Sequence, residues 1–183
     1  MNRKRSKSHI SGLNQELTAM RVLEAEMPEH VSVVRELFEE YAASLSIDLC
    51  FQGFAEELAG LPGKYAPPQG CLLLLEDGGL MGGCVALRPL GGHDCEMKRL
   101  YVRPACRGKG GGRLLAEAVV AAARHIGYQR MRLDTLASMT PAIALYESIG
   151  FHRTAPYYHN PSDSAVFLEL DLQKTAARAA RRP

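Results

Sequence analysis

Leu100-Tyr101-Val102-Arg103-Pro104-Ala105-Cys106-Arg107-Gly108-Lys109-Gly110-Gly111-Gly112-Arg113 is the stretch on which the fold turns. An apolar and aromatic run stops at a proline. Four glycines in five positions then open a long segment with helical periodicity. The pattern reads as strand, turn and helix. Glycine lets the main chain take positive φ and approach a ligand, and uncapped N–H groups at a helix start favour a phosphate. Lys98, Arg99, Arg103, Arg107, Lys109 and Arg113 lie within 16 residues, with no acid between Glu96 and Glu117. That concentration suits a ligand with several phosphates. A glycine-rich surface turn without a ligand is the competing reading.

Two common phosphate motifs are absent. Gly108-Lys109 is followed by Gly110, not by the Ser or Thr of a nucleotide-binding P-loop. The dinucleotide pattern G-x-G-x-x-G fails because Gly108 and Gly110 are followed by Arg113, and Gly110 and Gly112 by Leu115.

Working outward, Glu96 to Val102 reads as the strand before the turn. Gly110 to Ile126 reads as the helix after it, with an apolar face of Leu114, Leu115, Ala118, Val119, Ala122 and Ile126 and a C-terminal cap at Gly127. Upstream, Leu17 to Ala25 reads as a strand. Pro28 sits well at a helix start, and Val31, Val34, Leu37, Phe38, Tyr41 and Leu45 then recur at helical spacing. Phe51 to Leu61 reads as a short helix and Pro62 to Gly70 as a loop. Cys71 to Glu76 and Leu80 to Leu87 are strands joined by Asp77-Gly78-Gly79, a hairpin signal. Downstream come a strand at Met131 to Leu136 and a helix capped by Thr140, started by Pro141 and ended at Gly150. Phe151 to Tyr158 and Ala165 to Leu170 close the chain as strands. The order is β-αα-βββ-α-β-α-ββ. A strand–helix–strand unit needs parallel pairing and a hairpin needs antiparallel pairing, so an α/β protein with a mixed sheet (α+β in character) and helices on its faces is expected.

At these residues the sequence resembles the GNAT superfamily of acyl-CoA-dependent N-acetyltransferases. The family's pyrophosphate loop, R/Q-x-x-G-x-G/A after a strand ending in V-x-P, matches Arg107, Gly110 and Gly112 after Val102-Arg103-Pro104. A second family element, A-I-x-L-Y-E-x-x-G-F, matches Ala142 to Phe151. The two motifs cover roughly 95–151, and the strand order extends the likeness over 17–171. The resemblance implies a GNAT-like three-layer fold with splayed parallel central strands.

It also implies a mechanism. Leu100, Tyr101 and Val102 would face pantetheine, and Arg107, Gly108, Lys109, Gly110, Gly111, Gly112 and Arg113 would hold the pyrophosphate of acetyl-CoA, the cosubstrate, with no metal. A backbone N–H would polarise the thioester carbonyl. Tyr146 matches the family tyrosine that donates to the CoA sulfur. The base that takes the amine proton is either Glu96, six residues before Val102, or Asp134 on the next strand. In a regular strand Glu96, Lys98, Leu100 and Val102 share one face, a count that a bulge would spoil. Many members carry Asn three residues before the A-I-x-L-Y run. Here that position is Met139, whose thioether cannot make the same hydrogen bonds but can pack on pantetheine.

The expected activity is therefore transfer of an acetyl group from acetyl-CoA to a primary amine of a small molecule or peptide. The alternatives are a non-catalytic acyl-CoA-binding or sensor domain, which turnover with an amine panel separates from a transferase, or a ribosome- or RNA-associated protein acetyltransferase, which predicts salt-dependent RNA binding. Glu36, Glu39, Glu40, Asp48, Glu56 and Glu57 make the acceptor side acidic, which attracts a cationic amine. Tyr41, Phe51, Phe54 and the Tyr157-Tyr158-His159-Asn160 loop offer aromatic walls, and Leu61 to Gly70 a lid.

Composition bounds the rest. A chain of 183 residues, 46% hydrophobic and 23% charged, suits one domain with tails and excludes wholesale disorder. The division expected is a basic tail over 1–15, a single domain over 16–172 and a basic tail over 173–183. Outside eight basic tail residues, 14 basic residues face 20 acidic ones, a net of −6 over 10–173. The tails read as solubilising ends rather than nucleic-acid contacts. The basic start carries no secretory apolar stretch, and no apolar run has membrane-spanning length, so a cytoplasmic protein without membrane contact is expected. Five scattered cysteines, with no C-x-x-C, argue for buried reduced thiols rather than a disulfide or zinc framework. A homodimer is the common prior for such a chain.

Overall fold

The computed structural model describes residues 19–45 and 53–174. Both tails beyond these, the start of the first expected strand, Asp48, Cys50 and Phe51 lie outside the described residues. The strands are β1 (Arg21–Glu24), β2 (Cys71–Asp77), β3 (Leu80–Gly91), β4 (Asp94–Val102), β5 (Arg130–Leu136), β6 (His152–Arg153) and β7 (Ala165–Asp171). The α-helices are α1 (Val31–Ser44), α2 (Phe54–Ala59), α3 (Gly111–Ile126) and α4 (Thr140–Ile149). The chain order is the one expected from sequence.

The strands form one sheet in the order β1-β2-β3-β4-β5-β7-β6, with β4 and β5 parallel and every other pair antiparallel. Two apolar clusters lie on opposite faces of this sheet. Leu115, Val119 and Ala123 of α3 and Tyr146 of α4 pack with Leu73, Val85, Met97 and Leu133 on one face. Val34, Leu37 and Phe38 of α1 pack with Leu72, Leu74, Ala86 and Tyr101 on the other. All three α1 side chains are buried, and each contributes about 1.5–3 kcal/mol. The result is three layers. No helix among the described residues is long and apolar enough to cross a membrane. Cys71, Cys84, Cys95 and Cys106 are buried free thiols.

Several local expectations are corrected. The buried stripe of α3 is Leu115, Ala116, Val119, Val120 and Ala123, while Leu114 is 39% exposed. The stripe is rotated by about one residue because both the sheet and α4 must be covered. Thr140 lies inside α4 rather than capping it; Met139 is the residue before the helix, and it offers no side-chain cap. The strand expected over Phe151 to Tyr158 shrinks to His152–Arg153.

Two irregularities shape the centre. Cys84 faces Tyr101 and Ala86 faces Lys98, so two residue steps on β3 span three on β4. The extra residue is a β-bulge, and Arg99 takes φ 57 there, a left-handed conformation unusual for a side-chain-bearing residue. Past it the alternation reverses. Leu100 and Val102 join the α3 face and Tyr101 the α1 face. The expected shared face of Glu96, Lys98, Leu100 and Val102 is therefore wrong beyond Lys98. Second, β4 and β5 pair only through Asp94–Arg130, Cys95–Met131 and Glu96–Arg132. Past Glu96 they part, although β4 continues to Val102 and β5 to Leu136.

Candidate active site

The parting strands open a cleft lined by Tyr41 of α1, Lys98 and Arg99 of β4, Asp134 and Thr135 of β5, and Met139. Main-chain groups of β4 beyond Glu96 have no β5 partner. An extended ligand can satisfy such an edge as a further strand would.

At the end of β4 the turn delivers α3. Gly108 and Gly110 hold φ 76 and 89, and an added Cβ at either would project into open space. No side chain caps the helix, and its first closing bond is Leu114 N–H to the Gly110 carbonyl at 3.1 Å. The amides of Gly111, Gly112 and Arg113 precede that bond, and an anion suits them. This open amide cradle fits a coenzyme diphosphate. The nearby cations are partly spent on the protein. Lys109 pairs with Asp77 at 2.9 Å, and Arg113 donates to Ser148 at 2.8 Å and pairs with Glu117 at 3.2 Å. Arg107 donates to the Val102 carbonyl at 2.8 Å and lies 5.8 Å from the Tyr101 ring centre.

The six-cation cluster read from sequence is split. Lys98 turns to Asp134 at 2.9 Å, Arg99 to Glu57 at 2.8 Å, and Arg103 to Glu36 at 2.6 Å and Glu40 at 2.7 Å. Strand alternation and the bulge send these three to the α1 face. The acidic acceptor side is correspondingly muted, since Glu36, Glu40 and Glu57 are all paired.

Both expected carboxylates reach that face. Glu96 is fully buried and accepts from Arg88 at 2.6 Å and from the Tyr157 hydroxyl at 2.7 Å. Asp134 lines the cleft and accepts from Lys98 at 2.9 Å, the Tyr158 hydroxyl at 2.7 Å and Asn160 at 3.2 Å. Burial pulls the Asp134 carboxyl up, but the Lys98 charge and the Tyr158 and Lys98 hydrogen bonds outweigh it and hold it below its ordinary value. Tyr157 and Tyr158 are both raised, first by burial and then by the carboxylate each one faces. The aromatic loop anticipated as a wall is thus a pair of hydrogen-bond donors. Their adjacency, Tyr157-Tyr158, was the available signal, but nothing local pairs them with strands that lie elsewhere in the chain.

Tyr146 is buried against Phe151, with ring centres 5.8 Å apart. Burial raises its hydroxyl, and the fields of Tyr41 and Asp134, both lining the cleft, raise it further. Met139 accepts a weak bond from Thr135 at 3.5 Å and lines the cleft. Tyr101 splits from its neighbours: its ring packs 6.3 Å from that of Tyr41, on the face opposite Leu100 and Val102. No cluster of three or more metal-ligating side chains occurs among the described residues.

Known proteins share this arrangement. The sequence profile of the acetyltransferase (GNAT) family matches residues 22–151. An uncharacterized N-acetyltransferase of Schizosaccharomyces pombe is 43% identical over 150 residues, spanning 81% of this chain and 92% of its own. A GNAT-family acetyltransferase from Staphylococcus aureus Mu50 superposes with a TM-score of 0.70 at 18% identity, covering 85% of this chain and all of its own. The yncA protein of Salmonella typhimurium, solved with its cofactor acetyl-CoA, superposes with a TM-score of 0.63 at 21% identity, covering 85% and 95%. Strand order, parted central strands and profile agree: the chain belongs to the GNAT family of acetyltransferases and is an acyltransferase.

Proposed function

We propose that this enzyme moves an acetyl group from acetyl-CoA directly to a primary amine of a small molecule or peptide. The observation that carries the reading is the parting of β4 from β5 beyond Glu96, with Asp134 lining the gap. The acetyl-CoA held by the Salmonella relative supports the choice of cosubstrate. When bound, the coenzyme supplies the thioester.

The amides of Gly108 to Gly112, with Arg107, Lys109 and Arg113 around them, hold the diphosphate. Free β4 amides near Leu100 to Val102 align the pantetheine arm and donate to the thioester oxygen. Met139 packs beside that arm. Tyr146, protonated at any working pH because its hydroxyl is raised, donates to the departing sulfur. Asp134, rather than the enclosed Glu96, receives the amine proton through water, because only Asp134 opens on the cleft.

Asp134→Asn is expected to lower kcat/KM by about a hundredfold. The depressed carboxyl is ionised throughout pH 5–9, so the wild-type rate should follow the acceptor amine, rising about tenfold per pH unit up to that amine's own pKa. Wild-type kcat/KM in Asp134→Asn across that range would sink the assignment. The same depression stabilises the fold. That contribution is complete above the unfolded carboxyl value and is lost as pH falls through the lower folded value, below about pH 4.

A further inference from the structure

A second cleft, of about 420 Å³, opens on the α2 side of the sheet, walled by Glu57, Tyr65 and Arg88. Arg88 is 25% exposed, and its Nε is fixed on Glu96 at 2.6 Å. Glu96 is itself fully buried and held by Tyr157, so the guanidinium is anchored at one edge. Among the described residues no hydrogen bond is made by either Nη group of Arg88. The half-buried Glu57 carboxylate of the wall acts on Arg88 through its charge, but its hydrogen bonds go elsewhere. Glu57 already takes two bonds from Arg99, at 2.9 and 2.8 Å, and one from the Tyr65 hydroxyl at 3.0 Å. Exposed Lys64 and Glu56 at the rim offset each other.

An arginine pinned through Nε offers its two Nη groups as a planar fork, the geometry that receives a carboxylate in paired bonds. Arg88 sits opposite Glu96 on β4, and the bulge at Arg99 follows three residues on. At about 3.3 Å per strand residue, the strand position of Arg88 lies on the order of 10 Å from the bulge, beside which the acetyl group would lie.

We propose that this cleft holds the carboxylate of the acceptor, which makes the acceptor an amine with a carboxylate about 10 Å away. A short peptide or a long ω-amino acid meets that span, and an α-amino acid does not. The assignment rests on the acetyl-transfer reading above and names its substrate class.

The test uses the full-length enzyme with acceptor pairs differing only at the acid: triglycine against triglycine amide, and 8-aminooctanoate against 8-aminooctanamide, with glycine as the short control. Each acid should exceed its amide by about tenfold in kcat/KM, through KM, and glycine should be poor. Arg88→Lys keeps a charge on Glu96; it should raise KM for the acids about tenfold, leave the amides unchanged and hold kcat within about twofold. Thermal melting of the variant confirms that it folds, and the wild-type pairs need no variant at all. Equal rates for acid and amide, an undiminished gap in Arg88→Lys, glycine matching triglycine, or turnover of neither acid by enzyme that binds acetyl-CoA would each overturn the assignment. Absence of acetyl-CoA binding, measured separately by calorimetry, would overturn the transfer reading instead.

Discussion

Tyr146→Phe is expected to lower kcat by about two to three orders of magnitude and to leave the dissociation constant for CoA within about twofold. The variant removes one oxygen from a ring that stays packed on Phe151, so the core keeps its shape. The lost atom is a donor kept protonated by burial and by the fields of Tyr41 and Asp134. Without it the thiolate leaves without proton assistance, and only the step that breaks the thioester slows. Stopped-flow turnover with a saturating amine reads kcat, and calorimetry reads CoA. Unchanged turnover removes the phenol from the reaction; equal losses in binding and turnover make it a packing residue.

The second large effect is on the frame. Gly83→Ala is expected to cost about 2–3 kcal/mol of stability and to weaken CoA binding about tenfold. Gly83 lies opposite Val102, and an added Cβ would stand 2.4 Å from the Tyr101 carbonyl oxygen. That obstacle is main chain and cannot rotate aside. Relief requires β4 to move next to the bulge, on the stretch that has parted from β5. Denaturant unfolding gives the stability and calorimetry the affinity. A midpoint equal to wild type would show that the bulge yields easily and that its position is not set by Gly83.

The architecture was legible because its signals are local. Asp77-Gly78-Gly79 announced a hairpin, and Gly110 and Gly127 bracketed α3. Val31 to Tyr41 carried a clear period. The glycine turn that opens α3 was equally readable, being one contiguous loop. What escaped reading depends on contacts between distant segments. Nothing in Met97-Lys98-Arg99-Leu100 marks a bulge, since no glycine supplies the positive φ that Arg99 adopts. The left-handed backbone is stabilised instead by a bidentate bond to Glu57, 42 residues away. A face count along β4 therefore fails beyond Lys98, and the cations read as one phosphate-binding group divide. Likewise, β6 was overestimated because the residues after Arg153 favour extended backbone, yet Tyr157 and Tyr158 leave the sheet to reach two carboxylates on β4 and β5. The fork of Arg88 could not be foreseen, because its partner Glu96 is set by register rather than by spacing.

Neighbouring phenols on one short connection secure Glu96 and Asp134 together. That bears on attempts to retarget the enzyme by grafting the β6–β7 connection from a relative. A transplant lacking either hydroxyl removes one of the hydrogen bonds that hold a buried carboxylate in place, so altered selectivity would arrive with damage to the catalyst. Libraries that hold 157 and 158 fixed and vary the positions around them keep those two properties apart.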